Sequence, residues 1–284
     1  MAFMARIVHG AHDGPMTVRR VPARGSRVNR APTRRVYLVV LVTARMMKRP
    51  TRCLWPLPLL ALLTACASAP QPQPGDAPRL DLPVVGEVWR YRELNGFRDE
   101  VVADVSYTVT RADAGGIDLA MSVAGSPLSA LRDGQTERYA RPWDVLEDAV
   151  YDRLRRYEPA LPLVRVDAPV GRRVEDRARV QRPPQRGAEN WTTLSRFTGW
   201  ETVTVPAGTF RAARYERVTS YYDADVFRWR TERREKLWYA PEVGRWVRRE
   251  LTGTWTRPPW QRGRRHEILR DDWIVWELTG HERP

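Results

Sequence analysis

The chain has 284 residues, 48 of them basic and 34 acidic, for a formal charge of +14. Residues 1–65 hold 12 of the basic groups and one acid, Asp13, so the excess sits in a leader and residues 66–284 carry only +3. All basic groups except Lys48 and Lys236 are arginine, which fits a GC-rich genome better than selected phosphate contacts, and the near-balanced body argues against a nucleic-acid partner.

In chain order, the first interpretable element is a targeting segment. Lys48, Arg49 and Arg52 form a positive n-region, and Leu54 to Leu63 form an apolar run of ten residues, too short to span a bilayer as a helix. Small residues then lead to a cysteine. Leu63-Thr64-Ala65-Cys66 resembles the bacterial lipobox, and that resemblance implies cleavage before Cys66 and a diacylglycerol on its sulfur. An ordinary signal peptide followed by a chance cysteine is the alternative. Residues 1–45 precede the signal and are expected to be an over-extended start, so the signal peptide occupies 46–65. Cys66 is then the one cysteine of the mature chain, and no disulfide is expected. By resemblance to sorting rules, Ala67 and Ser68 imply the outer membrane, with the domain on its periplasmic face.

Residues 66–83 are rich in proline and read as an extended tether, leaving 84–284 as one domain. The domain opens with a strand near Gly86 to Leu94. Val101, Ala103, Val105, Tyr107 and Val109 then alternate with polar residues, and after the turn Ala112 to Gly116 the alternation resumes at Ile117, Leu119, Met121 and Val123. This is a hairpin with one buried face, which should hold Val105 and Leu119, while Thr108 and Asp118 lie opposite.

Residues 142–157 read as an amphipathic helix. Trp143, Leu146, Val150, Leu154 and Tyr157 share one helical face, Pro142 suits the first turn, acids come early and arginines late. Residues 158–189 are Pro- and Arg-rich and read as irregular, with a short strand near Arg173 to Val180. From Trp191 the pattern is an antiparallel meander with strands near 191–205, 209–222, 226–239, 245–256 and 266–280. The expected fold is mainly β: a curled antiparallel sheet or partial barrel of about eight strands with one helix.

Two phrases carry a family resemblance. Glu201 to Phe210, with Val-Thr-Val-Pro-Ala-Gly-Thr-Phe, and Leu237 to Glu250, with Trp-Tyr-Ala-Pro-Glu-Val-Gly, resemble paired hairpins of uncharacterised β-rich envelope lipoproteins of Gram-negative bacteria. The resemblance covers roughly 195–280 and implies a fold without a catalytic residue. A looser architectural likeness is to the Lol carriers of lipoproteins, whose open barrel and helical lid enclose an apolar cavity.

Chemistry-bearing patterns are sparse. His266-Glu267 lacks the second histidine of a zinc motif, His281 is expected in solvent, and no nucleotide fingerprint, cofactor motif or nucleophile motif occurs. Asp223 and Asp225 suit a turn better than a cation site, and Asp271-Asp272 place one carboxylate on each face of a strand. No enzyme activity, metal or cofactor is expected. Tryptophan is the stronger signal, with nine in 191–284. They fill a core by cross-strand packing or line a cavity for an acyl chain or glycan. Trp260, in a basic loop, with Trp229 and Trp246, are the candidate contacts with a ligand or partner. Arg228, Arg230, Arg234 and Lys236 form a face that is solvated or attracted to anionic lipid. The expectation is a lipid-anchored binding or carrier module for an apolar or glycan ligand. The alternative is a structural lipoprotein that meets an envelope protein.

Overall fold

The computed structural model describes residues 71–150, 153–184, 187–223, 227–260 and 267–284. The leader, signal segment and Cys66 lie outside the described residues, as do Asp225 and His266. Thirteen strands follow one another: β1 (Val88–Asn95), β2 (Glu100–Asp113), β3 (Gly116–Gly125), β4 (Thr136–Arg141), β5 (Asp144–Asp148), β6 (Arg155–Pro162), β7 (Arg173–Gln181), β8 (Ala188–Val205), β9 (Gly208–Tyr222), β10 (Arg230–Ala240), β11 (Arg245–Thr256), β12 (Ile268–Arg270) and β13 (Ile274–Glu282).

Each strand from β1 to β11 pairs antiparallel with the next, and β13 closes the ring by pairing with both β11 and β1. The three-residue β12 hangs on β11 outside the ring. The result is a closed antiparallel barrel of twelve strands. This corrects the expectation of an eight-strand partial barrel with a helix: no α-helix occurs among the described residues, which hold a single 3-10 turn at Ser129–Arg132. The core cluster runs from Trp89 to Leu278, so a chain beginning at Gln71 contains all of it and is expected to fold by itself.

The segment read as a helix is a hairpin. Pro142-Trp143 is the tight turn between β4 and β5, and Trp143 sits there at φ 65°, a left-handed conformation unusual for a bulky residue. The spacing of three and four arises because β5 contains a register shift between Val145 and Glu147, which breaks the strand's period of two. The acids and arginines that mimic a helix dipole are cross-strand partners: Glu147 faces Arg156 at 2.9 Å, and Asp148 faces Arg155 in register. Residues 158–189, read as irregular, complete β6 and contain β7, at the position expected for a short strand.

The first hairpin follows its alternation. Val105 and Leu119 are buried, and Thr108 and Asp118 point to the outer wall. That wall is polar. Arg92, Glu277, Arg248, Glu250 and Lys236 form one chain of ion pairs across β1, β13, β11 and β10. A transmembrane barrel turns apolar residues outward, and this barrel turns them inward.

Of the proline-rich segment, residues 71–83 are described, and they lie against the barrel. Gln73 makes two backbone hydrogen bonds to Trp200, on the stretch of β8 that extends beyond its pairing with β7. Gly199 allows this crossing, because its φ is 125° and a Cβ there would lie 2.4 Å from the Gln73 carbonyl.

Candidate functional site

The strands run alternately toward two ends. The loops between β2 and β3, β4 and β5, β6 and β7, β8 and β9, and β10 and β11 gather at one end, which aromatic side chains fill. Trp143 packs edge-on against Trp89, Tyr139 and Trp246, with ring centres 5.3–6.0 Å apart. Among them lies Arg245, fully buried, with its guanidinium carbon 3.9 Å from the Tyr107 ring centre and 4.1 Å from that of Trp246. Its Nη2 donates to the Glu137 carboxylate at 3.2 Å, and the Tyr139 hydroxyl donates to the same oxygen at 2.6 Å. Burial pushes the Tyr91, Tyr107 and Tyr139 hydroxyls up, so they remain protonated donors.

The opposite end is open. A cavity of about 420 Å³ is lined there by Arg132, Arg153, Arg155, Arg182, Arg228 and Arg233, with four carboxylates, Glu93, Asp223, Asp271 and Asp272. Arg132 comes from the 3-10 turn between β3 and β4, which folds inward until its Nη2 meets Glu93 at 2.6 Å. Arg182 pairs with Glu189 and with Asp223, and Arg228 and Arg233 share Asp271.

Below the mouth the interior stays charged. Glu235 on β10 accepts from Arg217 on β9 and Arg249 on β11, all three side chains being buried. Burial alone would raise the Glu235 carboxyl, but Arg249 and Arg217 outweigh it and hold it below the ordinary carboxylate range. Asp148 moves the other way. Burial, reinforced by Glu137, pushes it up to about 6 against Arg155 and Arg249, and Tyr157 donates to it. Two tryptophans of this half each spend their indole N–H on a carboxylate: Trp276 donates to Glu93 at 2.8 Å and Trp191 to Glu189 at 2.9 Å.

Trp229 and Trp260 come together at this end with ring centres 5.0 Å apart, and Tyr222 packs on Trp229 at 5.2 Å. Trp260 is 61 % exposed. Trp246 is not with them: it is 2 % exposed and belongs to the filled end, so its reading as a ligand contact is corrected. Three smaller expectations also change. His281 is not free in solvent but bonds Glu87 at 2.7 Å and stacks on Trp89. Asp223 is tied to Arg182 rather than left at a turn. Asp271-Asp272 fall in the break between β12 and β13, not in a strand.

Sequence reasoning missed the arginines of the mouth. For Arg233 the signal was phase, since it falls in step with Thr231 and Leu237, as Arg217 below the mouth does with Tyr215, Thr219 and Tyr221, which marks both as inward.

No family model and no curated protein matches the chain. Two solved structures are similar to it. A candidate lipoprotein from Parabacteroides distasonis ATCC 8503 has a TM-score of 0.44 at 12 % identity, over 73 % of this chain and 100 % of that one. A candidate exported protein with a YmcC-like fold from Bacteroides fragilis NCTC 9343 has a TM-score of 0.41 at 15 % identity, over 72 % and 99 %. Similarity at that level carries no functional weight, so the functional reading rests on the side chains of the mouth.

Proposed function

We propose that the protein is a non-catalytic binding module of the bacterial cell envelope that takes an anionic group into its arginine-lined mouth. Lipidation at Cys66 would hold it at a membrane, with the outer membrane as the destination suggested by Ala67 and Ser68. The observation that carries the reading is the convergence of six arginines on one cavity lined by four carboxylates. Guanidinium groups present several donors in a fixed fork and favour phosphate or carboxylate ligands. The shape of the interior also bears on the ligand. Trp89, Trp143 and Trp246 fill the closed end, the Trp191 and Trp276 indoles are held on carboxylates, and the cavity that remains is lined mainly by charged and polar side chains. A ligand is therefore expected to enter with its charged part, and any apolar part stays outside.

Calorimetric titration of residues 71–284 with pyrophosphate tests this. Binding should occur and weaken as salt rises, because the attraction is screened. Arg228→Gln, at a partly exposed position of the mouth, should weaken it about tenfold, the scale of one charge-assisted hydrogen bond. Failure of pyrophosphate to bind at low salt would refute the anion reading.

A further inference from the structure

Near the open end the ring of strands parts between β11 and β13. β11 pairs with β13 as far as Leu251 and Ile274, and with β12 only from Thr254 and Arg270 onward. Residues 271–273 cross the gap. The Asp271 N–H ties them to the Gly253 carbonyl at 2.8 Å, and the Trp273 carbonyl accepts from the Gly96 N–H at 2.8 Å. Their inner side lines the arginine mouth. Their outer side lines a second cavity of about 270 Å³, and Thr252, Gly253, Asp271 and Trp273 belong to both. The second cavity lies on the outer wall, because Glu232 and Arg234 also line it and alternate with the buried Thr231, Arg233 and Glu235.

The two cavities differ in chemistry across this short segment. On the mouth side Asp271 holds Arg228 at 3.1 Å, and the Arg228 guanidinium carbon lies 5.0 Å from the Trp255 ring centre. On the outer side the rings of Phe97 and Trp273 meet edge-on at 5.7 Å. Glu232 and Arg234 pair with each other at 2.9 Å, so their charges are answered and the surface of the groove is mainly carbon. Trp273 differs from Trp191 and Trp276, whose indole nitrogens are held on carboxylates. Among the described residues its own indole nitrogen has no hydrogen-bond partner, and packing alone places the ring. Gly96 leaves room for it, since a Cβ there would lie 2.4 Å from the ring.

We propose that the outer groove is a subsite for the apolar chain of an anionic amphiphile. The phosphate or carboxylate head sits in the mouth beside Arg228, and the chain crosses residues 271–273 to lie against Trp273 and Phe97. This rests on the anion-binding reading of the mouth and names its ligand as one molecule that carries both parts. Charged donors and apolar surface stand on opposite sides of the same segment, so head and chain are satisfied together. An inorganic anion uses only the mouth.

The test titrates residues 71–284 with methyl phosphate and with hexyl phosphate, both at concentrations where they are monomeric. Hexyl phosphate should bind at least about tenfold more tightly, which burial of two of its methylenes alone would give. Pyrophosphate should displace it, because the heads compete for the mouth. Phe97→Ser and Trp273→Ser should each reduce the advantage of hexyl over methyl phosphate at least about threefold and leave pyrophosphate binding unchanged. Phe97 is exposed, and a melt identical to that of the parent shows that the fold persists. Equal affinity for the two phosphates, with pyrophosphate still bound, overturns the groove and spares the mouth. An advantage that survives both substitutions puts the chain elsewhere and overturns the groove as well. Hexyl phosphate that pyrophosphate cannot displace overturns the joint site. If pyrophosphate does not bind either, the anion reading falls and the subsite with it.

Discussion

The two ends of this barrel solve the problem of filling a wide ring in opposite ways. The closed end uses volume: Trp89, Trp143, Tyr139 and Trp246 interlock, and the one charge among them, Arg245, is surrounded by aromatic rings and answered by Glu137. The open end uses charge: Arg132, Arg217, Arg233 and Arg249 are buried there with Glu93 and Glu235, and space is left over. The closed end has little freedom to change. The open end keeps donors on a cavity wall, which is what a binding site requires. The position of Trp143 expresses the difference, because its left-handed backbone is held by the packing of its ring at the closed end.

Placing a new carboxylate in each half separates them most sharply. Val145→Asp at the closed end, buried opposite Tyr139 and Leu161 in register, should cost about 5 kcal/mol. Thr219→Asp in the charged half lies opposite Arg233 in register and should cost less than about 2 kcal/mol. Urea melts of residues 71–284 measure both, and equal losses would show that the halves do not differ in kind.

Arg245→Met comes next. It leaves the Glu137 carboxylate buried with the Tyr139 hydroxyl as its remaining neutral donor, and should cost about 4 kcal/mol. Adding Glu137→Gln should return part of that loss. If the double variant is no more stable than the single one, the arginine acts by filling space rather than by charge.

Asp148 gives the smallest effect and the one tied to pH. Its native carboxyl is raised from 3.8 to about 6, so the native state binds a proton that the unfolded chain has released. That contribution favours folding below about pH 4 and is lost as pH rises through 6. Asp148→Asn should therefore stabilise the domain at pH 7 by up to about 3 kcal/mol, with no difference below pH 4. Melting curves across that range, parent against variant, check the sign.

The parts of the fold legible in the sequence were those with an unbroken period. The first hairpin announces itself because Ala103 to Val109 and Ile117 to Val123 alternate on the core side, although Val101, expected with them, is exposed. The segment 142–157 was not legible, because a register shift between Val145 and Glu147 changes the period from two toward three and a half, and cross-strand ion pairs copy the charge order of a helix. Strand number was lost with it, since β5 to β7 lie in that stretch and the next. For the candidate site, Trp260 was visible as an aromatic in a basic loop, whereas Trp229 was placed inside a strand starting at 226 and lies before β10. Of the mouth arginines, Arg228 was taken for part of a solvated or lipid-facing face, and Arg153 and Arg155 for the end of a helix. Glu235 shows why: its neighbours Arg234 and Lys236 do point outward, and only its alternation with Thr231 and Leu237 places it in the interior.

The seam of the ring bears on the kinetics of folding. β13 stands between β1 and β11, and it brings His281 onto Glu87, 194 residues away in the chain. No sequence of local hairpin steps can complete the circle until residues 274–282 arrive. Such non-local closure makes for slow folding, and during the delay β1 and β11 each present a bare strand edge. A chain cut short before Ile274 would keep both edges exposed for good, so damage near the C-terminus should appear first as aggregation in the compartment where the barrel folds rather than as loss of any particular contact.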